Sequence, residues 1–238
     1  MNFQVDHSLT VFTNEGKLSQ CDDALKAALN GSLSVGACSE DGVVLASLKE
    51  LPQLVDRSKV FKINKIGDSI GMTYSGLQAD YRIILDKAME LVEDYKEIYG
   101  RYPYVDIFVT NLSRVIQEYT QKGGLRPFGV LLLISGGIPD SKNRSSLIPL
   151  LYQMDPSGSF QVIDTGAIGR EYSNAAKYIE RRLELIDDNI VSCIGAMKDH
   201  AGFSIGDNDV DIGVYYPSSN IFKVFSRAEV KDVFESIK

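Results

Sequence analysis

Hydrophobic residues recur at helical spacing in several stretches of the chain. Repeats every three or four positions predict amphipathic helices. Gly31 ends the first helix, Pro103 separates the second from the third, and Asp187 or Asp188 is expected to cap the fifth. The last helix opens with the capping box Ser226-Arg-Ala-Glu229. The predicted apolar stripes are Leu18, Cys21, Leu25, Ala28 and Leu29 in a helix over 17–29; Leu77, Tyr81, Ile84, Leu85, Ala88, Leu91, Val92 and Tyr95; Val109, Leu112, Val115, Ile116 and Tyr119; Tyr172, Ala175, Ala176, Ile179 and Leu183; Ile190, Ile194 and Met197; and Val230, Val233, Phe234 and Ile237.

Short apolar runs between the helices predict β-strands. The Asp41-Gly42 pair predicts a tight hairpin turn, and Asp155-Pro-Ser-Gly158 predicts a turn later in the chain. The predicted strands are Leu33–Cys38, Val43–Ser47, Ile70–Tyr74, Phe128–Ser135, Leu147–Met154, Phe160–Asp164, Val210–Tyr216 and Ile221–Phe225. The order is strands, two helices, strands, two helices, strands and a helix. Each helix pair needs a sheet face to cover, so this order predicts a four-layer α/β/β/α sandwich with an extra N-terminal helix.

Composition narrows the class of protein. The chain has 238 residues and a formal net charge of −7, without a dense run of Lys or Arg, which argues against nucleic acid or an anionic membrane as a partner. No apolar run approaches the ~20 residues that span a bilayer, and we expect no signal peptide. Three widely spaced cysteines favour a reducing, intracellular environment. No linker or repeat divides the chain, so we expect one domain over residues 1–238.

Neither a cofactor nor a metal ion is expected from the residue pattern. Asp207, Asp209 and Asp211 lack the glycine and glutamate spacing of a calcium loop, so we expect them to decorate an exposed turn. His7 and His200 are far apart and belong to no catalytic motif, so we expect both on the solvated surface.

Five motifs follow one another along the chain. They are Leu9–Phe12 with Gly16–Leu18; Ser34–Gly36 with Asp41–Ala46; Tyr74–Arg82; Tyr119–Gly129; and Asp155–Gly158 with Ala167–Gly169. Their order and spacing resemble those of the proteasome subunit family over nearly the whole chain, and within it the type-2 class of alpha subunits most closely. This resemblance implies the fold of the N-terminal-nucleophile hydrolases, with Asp155–Gly158 and Ala167–Gly169 matching the family's turn and third helix.

Two features favour an alpha subunit, which is not an enzyme, over a catalytic beta subunit. About thirty residues precede the strand at Leu33, whereas mature beta subunits begin close to that strand. The beta nucleophile is a threonine whose free α-amine acts as base, and here Ser32 follows Gly31 at that place. The family's essential aspartate falls on Leu48, which holds no charge, although its active-site lysine falls on Lys62. The alternative is a processed N-terminal-nucleophile amidohydrolase that uses Ser32.

The resemblance implies a structural role in the alpha ring of the core proteasome. Such a chain assembles with six other alpha subunits and with beta subunits, in the cytoplasm and nucleus, and serves ubiquitin-dependent protein degradation. The C-terminal tails of the regulatory particle or other activators dock between alpha subunits. The residues that match this pocket are Lys62, whose ammonium would pair with the tail carboxylate, and Gly31, which would let the tail backbone approach. The alternative for Lys62 is a surface lysine on a strand edge, and the alternative for Gly31 is a helix C-cap, which is compatible with a role in the pocket.

The N-terminal segment departs from the family pattern. Residues 1–31 match the gate segment and ring helix, and 32–238 match the sandwich. Positions that hold the open gate in many alpha subunits are here Val5, Asp6, Asn14 and Asp23, of which only Asp6 keeps the family's residue. We therefore expect a weak contribution to an ordered open pore. The helix over 17–29 is expected to turn its apolar side toward neighbouring subunits, so that an unpartnered chain would aggregate.

Overall fold

The protein folds around two five-stranded antiparallel sheets. A computed structural model describes residues 12–52, 54–143, 146–200 and 205–236. The strands are β1 (Ser34–Ser39), β2 (Gly42–Leu48), β3 (Ile63–Ile66), β4 (Ile70–Gly76), β5 (Val130–Pro139), β6 (Leu147–Met154), β7 (Phe160–Ile163), β8 (Thr165–Ile168), β9 (Val210–Tyr216) and β10 (Ile221–Val224). One sheet has the order β10-β9-β2-β1-β8 and the other β3-β4-β5-β6-β7.

The helices are α1 (Ser19–Leu29), α2 (Gln78–Tyr99), α3 (Val105–Gln121), α4 (Tyr172–Glu180), α5 (Ile186–His200) and α6 (Arg227–Ser236). Helices α2 to α6 cover the outer faces of the two sheets, and α1 packs against the cluster between them. Strand β2 is buried on both faces: Val44 and Ala46 pack with α4 and α5, while Val43 and Leu45 pack between the sheets. A third apolar cluster joins α2 and α3 to the other sheet. The predicted four-layer sandwich is confirmed, whereas one domain over 1–238 stays a prediction.

Two short strands were not predicted from the sequence. Strand β3 has only four residues, and its central pair, Asn64-Lys65, gives little apolar signal. Strand β8 contains the Ala167-Ile168 pair, which the resemblance placed at the start of a helix; instead Ala167 pairs with Val35 of β1. The helix α4 begins only at Tyr172, after Gly169 has turned the chain with a φ of +101°.

The capping predicted from the sequence is confirmed for α6 and is wrong for α5. The capping box of α6 is present, since Glu229 accepts hydrogen bonds from the backbone and hydroxyl of Ser226. The predicted capping of α5 is wrong, because Asp187 and Asp188 lie within its first turn. The carboxylate of Asp41, in the β1–β2 turn, accepts the hydrogen bond from the first backbone N–H of α5 at 3.0 Å. His7 and Ile237 lie outside the described residues.

A buried charge cluster replaces the exposed acidic turn predicted at 207–211. Asp211 is only 4% exposed, and its Oδ1 accepts hydrogen bonds from Lys49 Nζ and from the guanidinium of Arg227, both at 3.0 Å. Asp209 is also buried and pairs with Arg57. Burial lowers the pKa of Lys49, while Asp211 opposes that effect. The sequence pattern missed this cluster because its members are up to 170 positions apart.

The first helix packs on its own chain. Ala28 is fully buried between the sheets, and Leu25 and Leu29 are half-buried against the same cluster. Leu18 is half-buried as well. The apolar side of this helix therefore packs partly on its own chain, while its position between neighbouring subunits stays a prediction. The outward face of α1 carries Asp23 and other polar residues. Within the described ranges, no helix combines the length and hydropathy needed to cross a bilayer.

Candidate functional site

Gly31 lies at a tight corner between the end of α1 and the end of β4. Its N–H donates to the carbonyl of Ala28 at 3.1 Å, and its carbonyl accepts from the N–H of Arg170 at 3.0 Å. A Cβ atom added here would lie 2.1 Å from the backbone nitrogen of Gly76 and 2.4 Å from Ser75 Oγ. Only glycine fits this approach, so a helix C-cap does not by itself account for the residue.

Lys62, the residue before β3, lies next to this corner. Its Nζ donates a hydrogen bond to Ser32 Oγ and lies 4.9 Å from the centre of the Tyr74 ring. The residue is 5% exposed, so the interpretation of Lys62 as a surface lysine is wrong. Its backbone N–H donates to Asp211 Oδ2 at 2.8 Å, which anchors the segment to the charge cluster. The fold thus brings Lys62 to Ser32, the residue after Gly31, across 30 positions of sequence.

The Lys62 ammonium is a cation with an incomplete set of partners. No carboxylate of the described chain lies within 4.0 Å of Nζ, and the neutral Ser32 hydroxyl is its hydrogen-bond acceptor. Burial lowers its pKa to about 7, with Asp211 acting in the opposite direction. An anionic group that reached Nζ would therefore complete the ion pair and raise this pKa.

The residues that match the gate lie away from this corner or outside the described part of the chain. Val5 and Asp6 precede the first described residue. Asn14 is exposed in a turn before α1, and Asp23 is exposed on α1, where its carboxylate accepts from Lys26 Nζ at 2.9 Å. Asp23 also lines a groove of about 410 Å³ beside α1.

The site around Ser32 keeps the lysine of the family's catalytic set but lacks its aspartate. Leu48, at the position of the family's catalytic aspartate, is fully buried and its N–H donates to the carbonyl of Leu33. It supplies neither charge nor a hydrogen-bonding side chain. Release of the chain before Ser32 would also remove Ala28 from the cluster between the sheets.

An ion pair that the sequence reasoning missed connects two of the family-like motifs. Arg126 donates to Asp80 through both guanidinium nitrogens, at 2.6 and 2.9 Å, and Asp80 Oδ2 also accepts from the N–H of Gly129. Burial alone would raise the pKa of Asp80, but these hydrogen bonds outweigh it and lower the pKa. The signal in the sequence was weak, since the first motif carries both Asp80 and Arg82 and the second carries both Lys122 and Arg126.

Comparisons with known proteins agree with this architecture. The family model described as "Proteasome subunit" matches residues 28–209. The chain is 39% identical to proteasome subunit alpha type-2 of Oryza sativa subsp. indica, with 99% of this chain and 98% of the relative covered. It is 37% identical to proteasome subunit alpha type-2-A of Arabidopsis thaliana, at the same coverage. Proteasome subunit alpha type-2 of Caenorhabditis elegans is 38% identical, with 94% and 95% covered. The chain therefore belongs to the proteasome subunit family.

Proposed function

We propose that this chain is a non-catalytic subunit of the alpha ring of the core proteasome. It assembles with six other alpha subunits and with beta subunits, and acts in ubiquitin-dependent protein degradation in the cytoplasm and nucleus. The observation that carries the proposal is an intact hydrolase scaffold whose catalytic position holds the buried Leu48 and whose first helix is part of the core. A scaffold of this kind can assemble with other subunits, but it lacks the aspartate needed to cleave a peptide bond.

The form of the chain in the assembled particle separates this function from the Ser32 amidohydrolase. We expect the chain purified with other proteasome subunits to retain residues 1–31, because Ala28 and Leu25 help to fill the core. Intact-mass spectrometry of the dissociated particle measures this directly. A mature chain that begins at Ser32 and hydrolyses peptides by itself would contradict the proposal.

We further propose that the corner formed by Gly31 and Lys62 takes part in docking the C-terminal tail of an activator. A tail ends in a carboxylate, which is the partner that the Lys62 ammonium lacks among the described residues. Gly31 keeps the backbone at this corner free of a side chain. Because Lys62 is almost buried, docking requires its side chain to turn from Ser32 toward the tail.

The substitution Lys62→Gln should weaken tail docking at least about tenfold, because it removes one charge-assisted hydrogen bond. Docking should also depend on pH. With a pKa of about 7 in the empty site, Lys62 is charged below pH 7 and must take up a proton to bind above it. Affinity should fall about tenfold between pH 6 and pH 8 in the wild type, and this slope should be absent in the variant. Binding of a fluorescent tail peptide to assembled particles measures both effects.

The exposed Lys231 offers a matched control, since its Nζ already has a partner within the chain, Glu235 at 3.8 Å. Lys231→Gln should leave both the affinity and its pH slope unchanged. Equal affinities for wild type and Lys62→Gln at pH 6 would exclude the tail-docking role. Ring membership would then still stand on the intact-mass result.

The proposed contribution to the gate is weak. Asn14 and Asp23 are both exposed polar residues, and Asp23 interacts with Lys26 on its own helix. Neither offers the aromatic packing that a tyrosine would bring to a neighbouring chain. An ordered open pore would therefore depend mainly on the other subunits.

A further inference from the structure

A second cavity lies where three connections of the fold meet. It has a volume of about 640 Å³ and is formed by the β3–β4 turn, the α2–α3 connection and the β9–β10 turn. Strand β4 starts at this cavity and ends at the Gly31 corner, so its seven residues separate the two places by roughly 20 Å. The cavity is therefore distinct from the proposed tail site.

The walls of this cavity are positively charged, although the whole chain is acidic. Lys65, Lys96 and Arg101 line it, with Asp68 as the one lining carboxylate. Lys65 and Asp68 lie 3.7 Å apart and offset each other, which leaves Lys96 and Arg101 as the excess positive charge among the lining residues. The net charge of the cavity lining is therefore positive, whereas that of the whole chain is −7.

Two of these cations have aromatic or phenolic partners in place of carboxylates. Lys96 Nζ donates to the hydroxyl of Tyr102 at 2.8 Å, and that hydroxyl donates to Glu93, which stands behind it. The Arg101 guanidinium lies 4.7 Å from the centre of the Tyr104 ring. Within the described ranges, neither Lys96 nor Arg101 has a carboxylate oxygen within 4.0 Å of its side-chain nitrogens. Glu93 and Asp68 act on Lys96 only at longer range, so among the described residues both cations are left without a direct carboxylate partner.

We propose that this cationic cavity receives an acidic segment of a neighbouring proteasome subunit. Arginine presents a fork that matches a carboxylate, and arginine and tyrosine are enriched where interfaces are tightest. The exposed Ile221 on its rim supplies apolar surface beside the charges. The inference rests on the proposed function, because only a chain inside the particle has such a neighbour.

Zero-length crosslinking of assembled particles tests the contact directly. A carbodiimide joins a lysine amine to a carboxylate only when the two are in contact. We expect Lys65 or Lys96 to be joined to an Asp or Glu of another subunit, identified by mass spectrometry. The Lys26–Asp23 pair, 2.9 Å apart within the chain, reports that the chemistry has worked. Products confined to Asp68 and Glu93 of this chain, or none at these lysines while the control reacts, would overturn the proposal.

Charge reversal gives an independent readout. Arg101→Glu combined with Lys96→Glu should lower incorporation of the chain into particles at least about tenfold, since like charges would then face each other. The neutral pair Arg101→Gln and Lys96→Gln should lower incorporation less, and Lys231→Glu should leave it unchanged. Incorporation of the reversed variant at wild-type level would exclude the acidic partner. Absence of the wild-type chain from all particles would instead overturn the proposed function itself.

Discussion

The substitution Gly31→Ala should destabilise the chain by about 3 kcal/mol or more, because the new methyl group has no space. Its carbon would lie 2.1 Å from the backbone nitrogen of Gly76, which cannot rotate away as a flexible side chain could. Relief requires the end of α1 to move, and that movement would pull Ala28 out of the cluster between the sheets. The denaturant midpoint of the purified chain and its soluble yield should both fall.

Gly123→Ala is the matched control for this experiment. Gly123 does not have a positive φ, and an added Cβ would meet nothing within 4 Å. We expect its free energy of unfolding to stay within about 0.5 kcal/mol of the wild-type value, so that the midpoint hardly moves. If both variants had the same midpoint, steric exclusion could not be the reason for glycine at position 31.

The substitution Asp211→Asn should destabilise the protein by about 3–5 kcal/mol, since it leaves the buried ammonium of Lys49 without its counter-charge. The amide keeps nearly the same shape, so the loss reports the removed charge and the acceptor oxygen lost with it, and not a change of volume. The deficit should shrink as the pH rises, because burial has lowered the pKa of Lys49 and the folded variant gains stability as that proton leaves. Denaturant unfolding at several pH values measures both quantities.

A second substitution distinguishes a loss of stability caused by unpaired charge from one caused by disrupted packing in this cluster. Adding Lys49→Met to Asp211→Asn removes the uncompensated charge and should restore part of the lost stability. The exposed pair Lys231–Glu235 provides the contrast, and Glu235→Gln should cost less than about 1 kcal/mol. A double variant no more stable than Asp211→Asn alone would show that the cluster does not act through paired charges.

Much of the layer order could be predicted from hydrophobic periodicity. Each helix, and most strands, bury one face against a single neighbouring layer along their whole length, and this leaves a regular pattern in the sequence. The spacing in α3, for example, leads directly to its packing on the sheet that contains β4, β5 and β6. Strands β3 and β8 escaped prediction because four residues carry too little pattern, and β8 exists through its pairing with β1. Such pairing is a property of the folded chain and leaves no local signal.

The candidate site was only partly predictable for the same reason. Gly31 and Lys62 could be named by resemblance, but the contact of Lys62 with Ser32 and Tyr74 depends on how β3 and β4 meet the end of α1. The burial of Asp211 was unforeseen because Lys49 and Arg227 approach it from opposite parts of the chain. A row of acidic residues in sequence does not reveal which of them will find cations.

The carboxylate of Asp41 has a consequence for how the molecule opens. Asp41 lies in the turn between β1 and β2, and its carboxylate accepts a hydrogen bond from the first N–H of α5, 145 positions later. Loosening that turn therefore releases the start of the helix, and fraying of the helix leaves the turn without one of its restraints. We expect the amide hydrogens of these two distant segments to exchange with solvent together, as one cooperative foldon. Opening of the turn is then coupled directly to opening of the helix that covers the sheet.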